Sequence, residues 1–364
     1  MTERTVIEGR IVTPDGVVPG RLTFATAILA IEPDAGVTAE RLIVPGFVDL
    51  HVHGGGGADV MEGAEAVRHM ARFHARHGTT SLLATTVTHE RPALFAAFAG
   101  IRDAIAAPAD DAADILGVHL EGPFINPEAL GAQPPFAIPP DLDLLAALHR
   151  TAPIRVVTMA PEIDPEGELL GWCTAHGIKA QIGHSTCSYT EARAALEAGA
   201  SGFTHLGNAM TGLHHRAPGA LGCALAHAAH AEIILDFQHV AEGAVMAARR
   251  AIPGLYAITD AVAAAGMPDG PYRLGTHAID KQGPTVRLAD GTLAGSVLTM
   301  DRAFANWRAL GLSEVEAVLR TSTVAADYLG LEDRGRLTPG LRADIVALDA
   351  AAAVEAVWCR GRRV

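Results

Sequence analysis

Lysine is almost missing from this 364-residue chain: there are two, Lys179 and Lys281. With a net charge of −13, the surface offers little to a nucleic-acid backbone or an anionic membrane, both of which attract basic patches. Long apolar runs are missing too. None approaches the roughly 20 residues that cross a bilayer, and the opening MTERTVIEGRIV has mixed charge and no signal-type segment. The expected setting is cytoplasmic, with no nucleic-acid or membrane partner. Four cysteines, at 173, 187, 223 and 359, lack CxxC spacing. They point to reduced thiols and away from a disulfide framework or zinc ribbon. No short repeat and no long charge block occurs.

The content is that of an ordinary globular protein, 49% hydrophobic and 19% charged, and the length can bury a large core. Short β-prone runs alternate with alanine-rich helical stretches, the rhythm of βα units on a parallel sheet. Eight such runs occur, at 42–52, 79–87, 114–120, 154–160, 178–185, 201–206, 232–237 and 255–261. Between them lie helix candidates such as AEAVRHMARFHARHG and YTEARAALEAGA, the second read with a Thr cap and a terminal glycine. Eight units predict an α/β fold, a (β/α)8 TIM barrel. The two ends differ, with turn-punctuated strands and no helical rhythm. They predict one small β-sandwich domain built from residues 1–44 plus 336–364, flanking a barrel of residues 45–335.

In such a barrel, side chains at the C-terminal strand ends point into the catalytic mouth. The first run ends in His51 and His53, the third in Glu121, the fifth in His184, the sixth in His205 and the eighth in Asp260. One strand-end histidine is weak support for a metal, because such residues often cap or pack. The HxH pair is better, since strand residues i and i+2 face the same way. Six ligand-type residues at matching ends of five strands predict a metal centre. Imidazoles with carboxylates suit zinc, iron or a similar divalent ion, and there are donors for one or two ions. His51 and His53 would hold a first, His184 and His205 a second, with Glu121 bridging and Asp260 touching metal and water. The four glycines after His53 are expected to turn the backbone sharply and leave room beside metal and substrate. His74, His77, His227 and His230, on stretches read as helical, are expected to be solvated or structural. Cys187 is expected to be a buried thiol, and His119 is divided between a role behind the ligands and barrel packing.

These residues resemble the amidohydrolase superfamily, and within it the N-acetylglucosamine-6-phosphate deacetylases. The resemblance runs nearly end to end, through PGFVDLHVHGGGG (45–57), HLEGPFINPEALGAQ (119–133), GHSTCSYTEARAALEAGA (183–200), THLGNAMTGLHHRAPG (204–219), ITDAVAAAG (258–266), LAGSVLTM (293–300) and GLRADIV (340–346). It implies hydrolysis of an N-acetylated amino-sugar phosphate, with Asp260 taking a proton from the attacking water and passing it to the leaving amine. It implies metal ligation through a glutamate after the third strand, matching Glu121. The bridging lysine of other superfamily members has no counterpart here, because Lys179 starts the fifth strand. It further implies substrate contacts at Ala132, Gln133, Asn208, Ala209, His239 and Leu293 to Gly295 (with Ala294), the last three as a closing loop. Arg216 matches a phosphate ligand, and His214 and His215 sit before it in the same loop. Homodimers that complete the phosphate pocket are usual in the family.

Two departures concern the sugar. GAQPP stands where the family has GTHNP, so Gln133 replaces a histidine that polarises the acetyl carbonyl. DFQHV stands where the family has a glycine, so the Phe237 ring is expected near the sugar. An alternative substrate is therefore N-acetylgalactosamine 6-phosphate or an unphosphorylated N-acyl sugar. A metal-dependent nuclease or phosphoesterase is remote, and a non-catalytic scaffold predicts missing ligands where none are missing.

Overall fold

The computed structural model describes residues 4–38 and 40–364, so residues 1–3 and 39 of the expected terminal segment lie outside the described part. The eight β-prone runs become eight parallel strands: Phe47–Val52, Thr79–Thr86, Asp114–Glu121, Ile154–Met159, Lys179–Ile182, Gly202–Phe203, His230–Ile234 and Gly254–Ile258. The first six pair in sequence order, as do the last two. Two seams remain, and each is closed just beyond a strand end. The Leu206 amide donates to the Glu232 carbonyl at 2.9 Å, and the Asp260 amide donates to the His51 carbonyl at 2.9 Å. At the second seam Asp49 also accepts from the Thr259 hydroxyl at 2.6 Å and the Thr259 amide at 3.2 Å. The barrel thus closes through groups beside the expected ligands.

Helices pack outside the strands. Ala64–Arg76 buries Val67, Met70, Ala71, His74 and Ala75, the i, i+3, i+4, i+7, i+8 spacing of one helical face. Each large apolar side chain so buried contributes about 1.5–3 kcal/mol. The helix Tyr189–Glu197 is capped by Ser188, not by threonine: Ser188 accepts from the Glu191 amide while the Glu191 carboxylate accepts from the Ser188 amide. The reciprocal box needs Ser and Glu three apart, and Thr190 is already inside the helix. His230 begins the seventh strand instead of lying on a helix.

The run at 42–52 serves two sheets. Leu42–Pro45 pairs with Thr5–Thr13 and Ile345–Leu348, while Phe47–Val52 enters the barrel. The terminal segments form one seven-stranded sheet, in which Gly16–Phe24 lies four strands from Val354–Cys359. On a flat sheet that is about 19 Å, yet the Phe24 and Trp358 rings lie 5.5 Å apart. The sheet therefore rolls over onto itself around Ile11, Leu22, Phe24, Ile43 and Ile345, which gives the expected sandwich.

One element was not expected. After the eighth strand, Gly270–Leu274, His277–Gln282, Thr285–Arg287 and Leu293–Ser296 form a four-stranded antiparallel sheet. Leu293 to Gly295 are thus strand residues, not a loop. The strands are short, and their outward faces are polar and exposed, so they carry no βα signal.

The glycines after His53 make room for protein, not ligand. Gly54 and Gly55 pair with Asp59 and Ala58 in a minimal hairpin. A Cβ at Gly54 would meet the Ala58 carbonyl at 2.5 Å, and Gly56 and Gly57 take φ of +63° and +89°. His74 locks this turn from the helix: its Nε2 donates to the Gly54 carbonyl at 2.9 Å. Burial depresses the His74 imidazole to about 4. A histidine depressed in the fold from about 6.5 in the unfolded chain contributes stability above pH 6.5, which is lost as pH falls to about 4. That loss should reach about 3 kcal/mol at most, at 1.36 kcal/mol per unit. His74→Gln keeps a donor without the titration, so denaturant unfolding of this variant should decline less than wild type between pH 6.5 and 4. Parallel declines would remove His74 as a source of acid lability.

Candidate metal centre

Asp49, His51 and His53 alternate inward along the first strand. His51 and His53 emerge at the barrel mouth with their Nε2 atoms 3.2 Å apart. Glu121 ends the third strand. His184, His205 and Asp260 follow the fifth, sixth and eighth strands on residues with positive φ, +48°, +28° and +51°. Such backbone is uncommon outside glycine and asparagine and clusters at functional sites. It also ends these strands early, so the run at 201–206 keeps only two strand residues.

Six donors converge. Glu121 Oε1 lies 3.0 Å from His205 Nε2, 3.1 Å from His184 Nε2 and 3.4 Å from His51 Nε2. Glu121 Oε2 lies 3.1 Å from His53 Nε2, and Asp260 Oδ1 lies 3.2 Å from His53 Nε2 and 3.6 Å from His51 Nε2. Atoms bound about 2.0–2.2 Å from a tetrahedral ion sit roughly 3.3–3.6 Å from one another; the donors here, 3.0–3.6 Å apart, span that range or lie a few tenths of an ångström inside it. The tautomers agree. His51 Nδ1 faces Glu232 Oε2 at 3.0 Å, His53 Nδ1 the Thr85 carbonyl at 3.0 Å and His184 Nδ1 the Ala129 carbonyl at 2.9 Å. These oxygens only accept, so each Nδ1 carries a proton and each Nε2 is the nitrogen turned inward, able to bind an ion once any proton on it is given up. His205 Nδ1 has no hydrogen-bond partner among the described residues.

The charges also favour a cation. Burial works against ionisation of His53, but Asp260 and Glu121 outweigh it and lift its imidazole to about 9. Burial raises the Asp260 carboxyl, yet the neighbouring His51 and His53 bring it below its ordinary value. Protons occupy ground that a divalent ion suits. The donors fall into two groups, His51 with His53 and Asp260, and Glu121 with His184 and His205.

Beside these donors lies a cavity of about 220 Å³ lined by Ala132, Gln133, Asn208, Ala209 and His239 and, from the antiparallel sheet, by Leu293 and Gly295. Gln133 accepts from the Thr88 amide at 2.7 Å and donates to Glu121, so its carboxamide is held against the metal centre. His239 Nδ1 lies 2.7 Å from Asp236 Oδ2, which leaves Nε2 as an acceptor. Three residues do not reach the cavity. Ala294 is buried in the small core of the antiparallel sheet. Arg216 is exposed, in contact with His215 Nε2 at 2.6 Å. Phe237 takes φ +61° and packs on the main core.

His119 lies beneath the ligands, with Nδ1 3.0 Å from the Leu50 carbonyl, Nε2 2.7 Å from Thr158 Oγ1 and its ring 4.5 Å from that of His51. Cys187 is buried, which pushes its thiol up to about 12. Sequence reasoning missed Asp49, Asp236 and above all Glu232, a fully buried carboxylate. The signal was there, as acids inside the apolar runs VDLHV and EIILDF.

Comparisons with known proteins agree on the family. The model of the amidohydrolase family matches residues 42–364. The N-acetylgalactosamine-6-phosphate deacetylase of Escherichia coli O157:H7 is 39% identical, with 92% of each chain covered. The N-acetylglucosamine-6-phosphate deacetylase of Bacillus subtilis (strain 168) is 37% identical over 99% of this chain and 94% of the relative. The crystal structure of that enzyme from Thermotoga maritima superposes with a TM-score of 0.92 at 33% identity, covering 99% of both chains. A mutant of the Mycobacterium smegmatis enzyme in complex with N-acetyl-D-glucosamine-6-phosphate does so with a TM-score of 0.92 at 32% identity, again over 99% of both chains.

Adding Zn²⁺ to metal-free protein at pH 7 should raise its thermal midpoint, since an ion that binds only the folded state stabilises it. It should also release protons, because ligand nitrogens must give theirs up. Calorimetric titration in two buffers of different ionisation enthalpy measures the release. Binding without it contradicts the ligand assignment.

Proposed function

The chain belongs to the amidohydrolase family, and on that footing we propose that it removes the N-acetyl group of an amino-sugar phosphate, foremost N-acetylglucosamine 6-phosphate, giving acetate and glucosamine 6-phosphate. The observation that carries this reading is the convergence of four Nε2 atoms with Glu121 and Asp260 at the barrel mouth, beside a cavity with polar lining. His51, His53, Glu121, His184, His205 and Asp260 would hold one or two divalent ions, zinc or iron by the hardness of the donor set. Such an ion polarises a carbonyl and makes water nucleophilic near neutral pH.

The chain's own residues do the rest. Asp260, ionised and at the cavity edge, accepts the proton of the water that attacks the amide carbonyl. The C–N bond breaks as Asp260 returns that proton to the amine. Gln133 places a neutral N–H donor beside Glu121, where negative charge develops on the acetyl oxygen. His239, with its tautomer set by Asp236, offers Nε2 to a sugar hydroxyl. Asn208 and Ala209 shape the sugar side.

Arg216 is the phosphate ligand in this reading. It stands exposed outside the cavity lining, the position of a residue that serves a pocket shared with a second copy, so a homodimer accompanies the proposal. Two domains accompany the proposal, one of residues 1–44 plus 336–364 and a barrel of residues 45–335. Four free, buried cysteines accord with a cytoplasmic setting; no helix among the described residues is long and apolar enough to cross a membrane.

N-acetylgalactosamine 6-phosphate is the second reading, favoured by the Escherichia coli relative and by Gln133. Metal-loaded protein should release free amine from one of these two phosphates at least tenfold faster than from its unphosphorylated sugar. No amine from any N-acetylated sugar would end the deacetylase reading. Asp260→Asn should keep a bound ion, measured by metal analysis, while turnover falls roughly 10²–10⁴-fold. Unchanged turnover removes Asp260 from the proton transfer.

A further inference from the structure

Barrel interiors are ordinarily filled by branched aliphatic side chains. Under this metal centre the filling is polar. Glu232, in the seventh strand, is fully buried. Its Oε2 lies 3.0 Å from His51 Nδ1 and 3.4 Å from the His205 amide, and its Oε1 accepts from the Tyr256 hydroxyl at 3.3 Å. Tyr256 in turn accepts from Gln181 Nε2 at 2.9 Å, and the same amide donates to Tyr328 at 3.2 Å. Gln181 Oε1 accepts from Thr204 at 2.9 Å, Thr204 touches Thr158 at 2.7 Å, and Thr158 touches His119 at 2.7 Å. His119 packs edge-on against His51 at 4.5 Å. A closed ring of side chains therefore runs from His51 Nδ1 round to the His119 ring packed against the same imidazole.

His51 differs from its partners in this. The Nδ1 atoms of His53 and His184 rest on backbone carbonyls, which the fold supplies whatever the side chains are. His51 alone rests on a charged side chain, and that side chain is held in its turn. A carboxylate behind a ligating imidazole fixes its tautomer and ring angle and makes Nε2 a stronger donor. A buried carboxylate without partners would be very unfavourable, so the presence of Glu232 calls for its contacts.

We propose that Glu232, steadied by Tyr256, is the positioning residue that makes the His51 half of the centre able to hold an ion, and that the His184 half, which it touches through the His205 amide at 3.4 Å, depends on it far less. The proposal rests on the two-half reading of the metal centre. It concerns affinity and occupancy and so goes beyond the deacetylase assignment.

The test is competition titration of the metal-free full chain with Zn²⁺ against a chromophoric chelator. His51→Asn and His184→Asn assign the two affinities. Glu232→Gln keeps the volume and an acceptor oxygen but loses the charge. It should weaken the ion that His51→Asn removes by 10–100-fold, the range for partners of ligating histidines, and leave the His184-dependent ion within threefold. Tyr256→Phe should weaken the same ion by a smaller factor. Equal weakening of both ions, or no change in either, overturns the proposal. Should Glu232→Gln not fold, an unchanged His51-dependent affinity in Tyr256→Phe overturns it alone. If wild type binds no ion that responds to His51→Asn, the two-half reading itself fails and the proposal with it; amine release by the His184 half would show that the deacetylase reading survives.

Discussion

Everything at the mouth of this barrel depends on where the histidine Nδ1 protons are pinned. A free imidazole chooses between two tautomers and rotates. Here His51, His53 and His184 each face an oxygen that can only accept, so the Nε2 atoms of three rings point at one place. The oxygens come from the seventh strand, the second strand and the loop after the third. Ligand geometry is thus a property of the closed barrel. The cost is real. Two carboxylates and four imidazoles lie buried together, and uncompensated burial of charge is very unfavourable. In the metal-free molecule shared protons offset that cost, as the raised His53 and lowered Asp260 imply.

The seams of the barrel serve the same end. Between the eighth and first strands, Asp49 grips Thr259 and the Asp260 amide bonds to the His51 carbonyl. Between the sixth and seventh, Leu206 bonds to Glu232. Each closure involves a proposed ligand, its neighbour or its support. Opening either seam would therefore shift donors as well as strands, so fold stability and site geometry are one quantity at these positions. The strained residues tell the same story from the backbone: His184, His205, Asp260 and the cavity-lining Ala209 all take positive φ, a strain that persists only where the surroundings over-determine it.

Much of this was legible beforehand. The eight βα units followed from period and length, and the six donors followed from their position at strand ends, because a strand's alternation is local. The glycines after His53 turn the backbone as expected, but the room they leave was misread. Their function lies in the close approach of Ala58 and the turn gripped by His74, contacts with residues that sequence does not place beside them. Phe237 is missing from the cavity lining for a reason of the same kind: it packs on the main core. The cap of the helix Tyr189–Glu197 was misplaced by two residues, although the Ser188–Glu191 box was present in the sequence.

The sequence by itself determined the class of fold and the kinds of atom brought to the mouth, since hydrophobic period and ligand chemistry are carried by single strands. It also determined what the surface lacks, through charge. Only the tertiary structure decided which ring nitrogens are bare, that Arg216 and Phe237 stand outside the cavity, and that Glu232 lies behind His51. These are relations between residues far apart in the chain. Glu232 is 181 positions from His51, and only closure of the barrel brings a seventh-strand carboxylate under a first-strand imidazole.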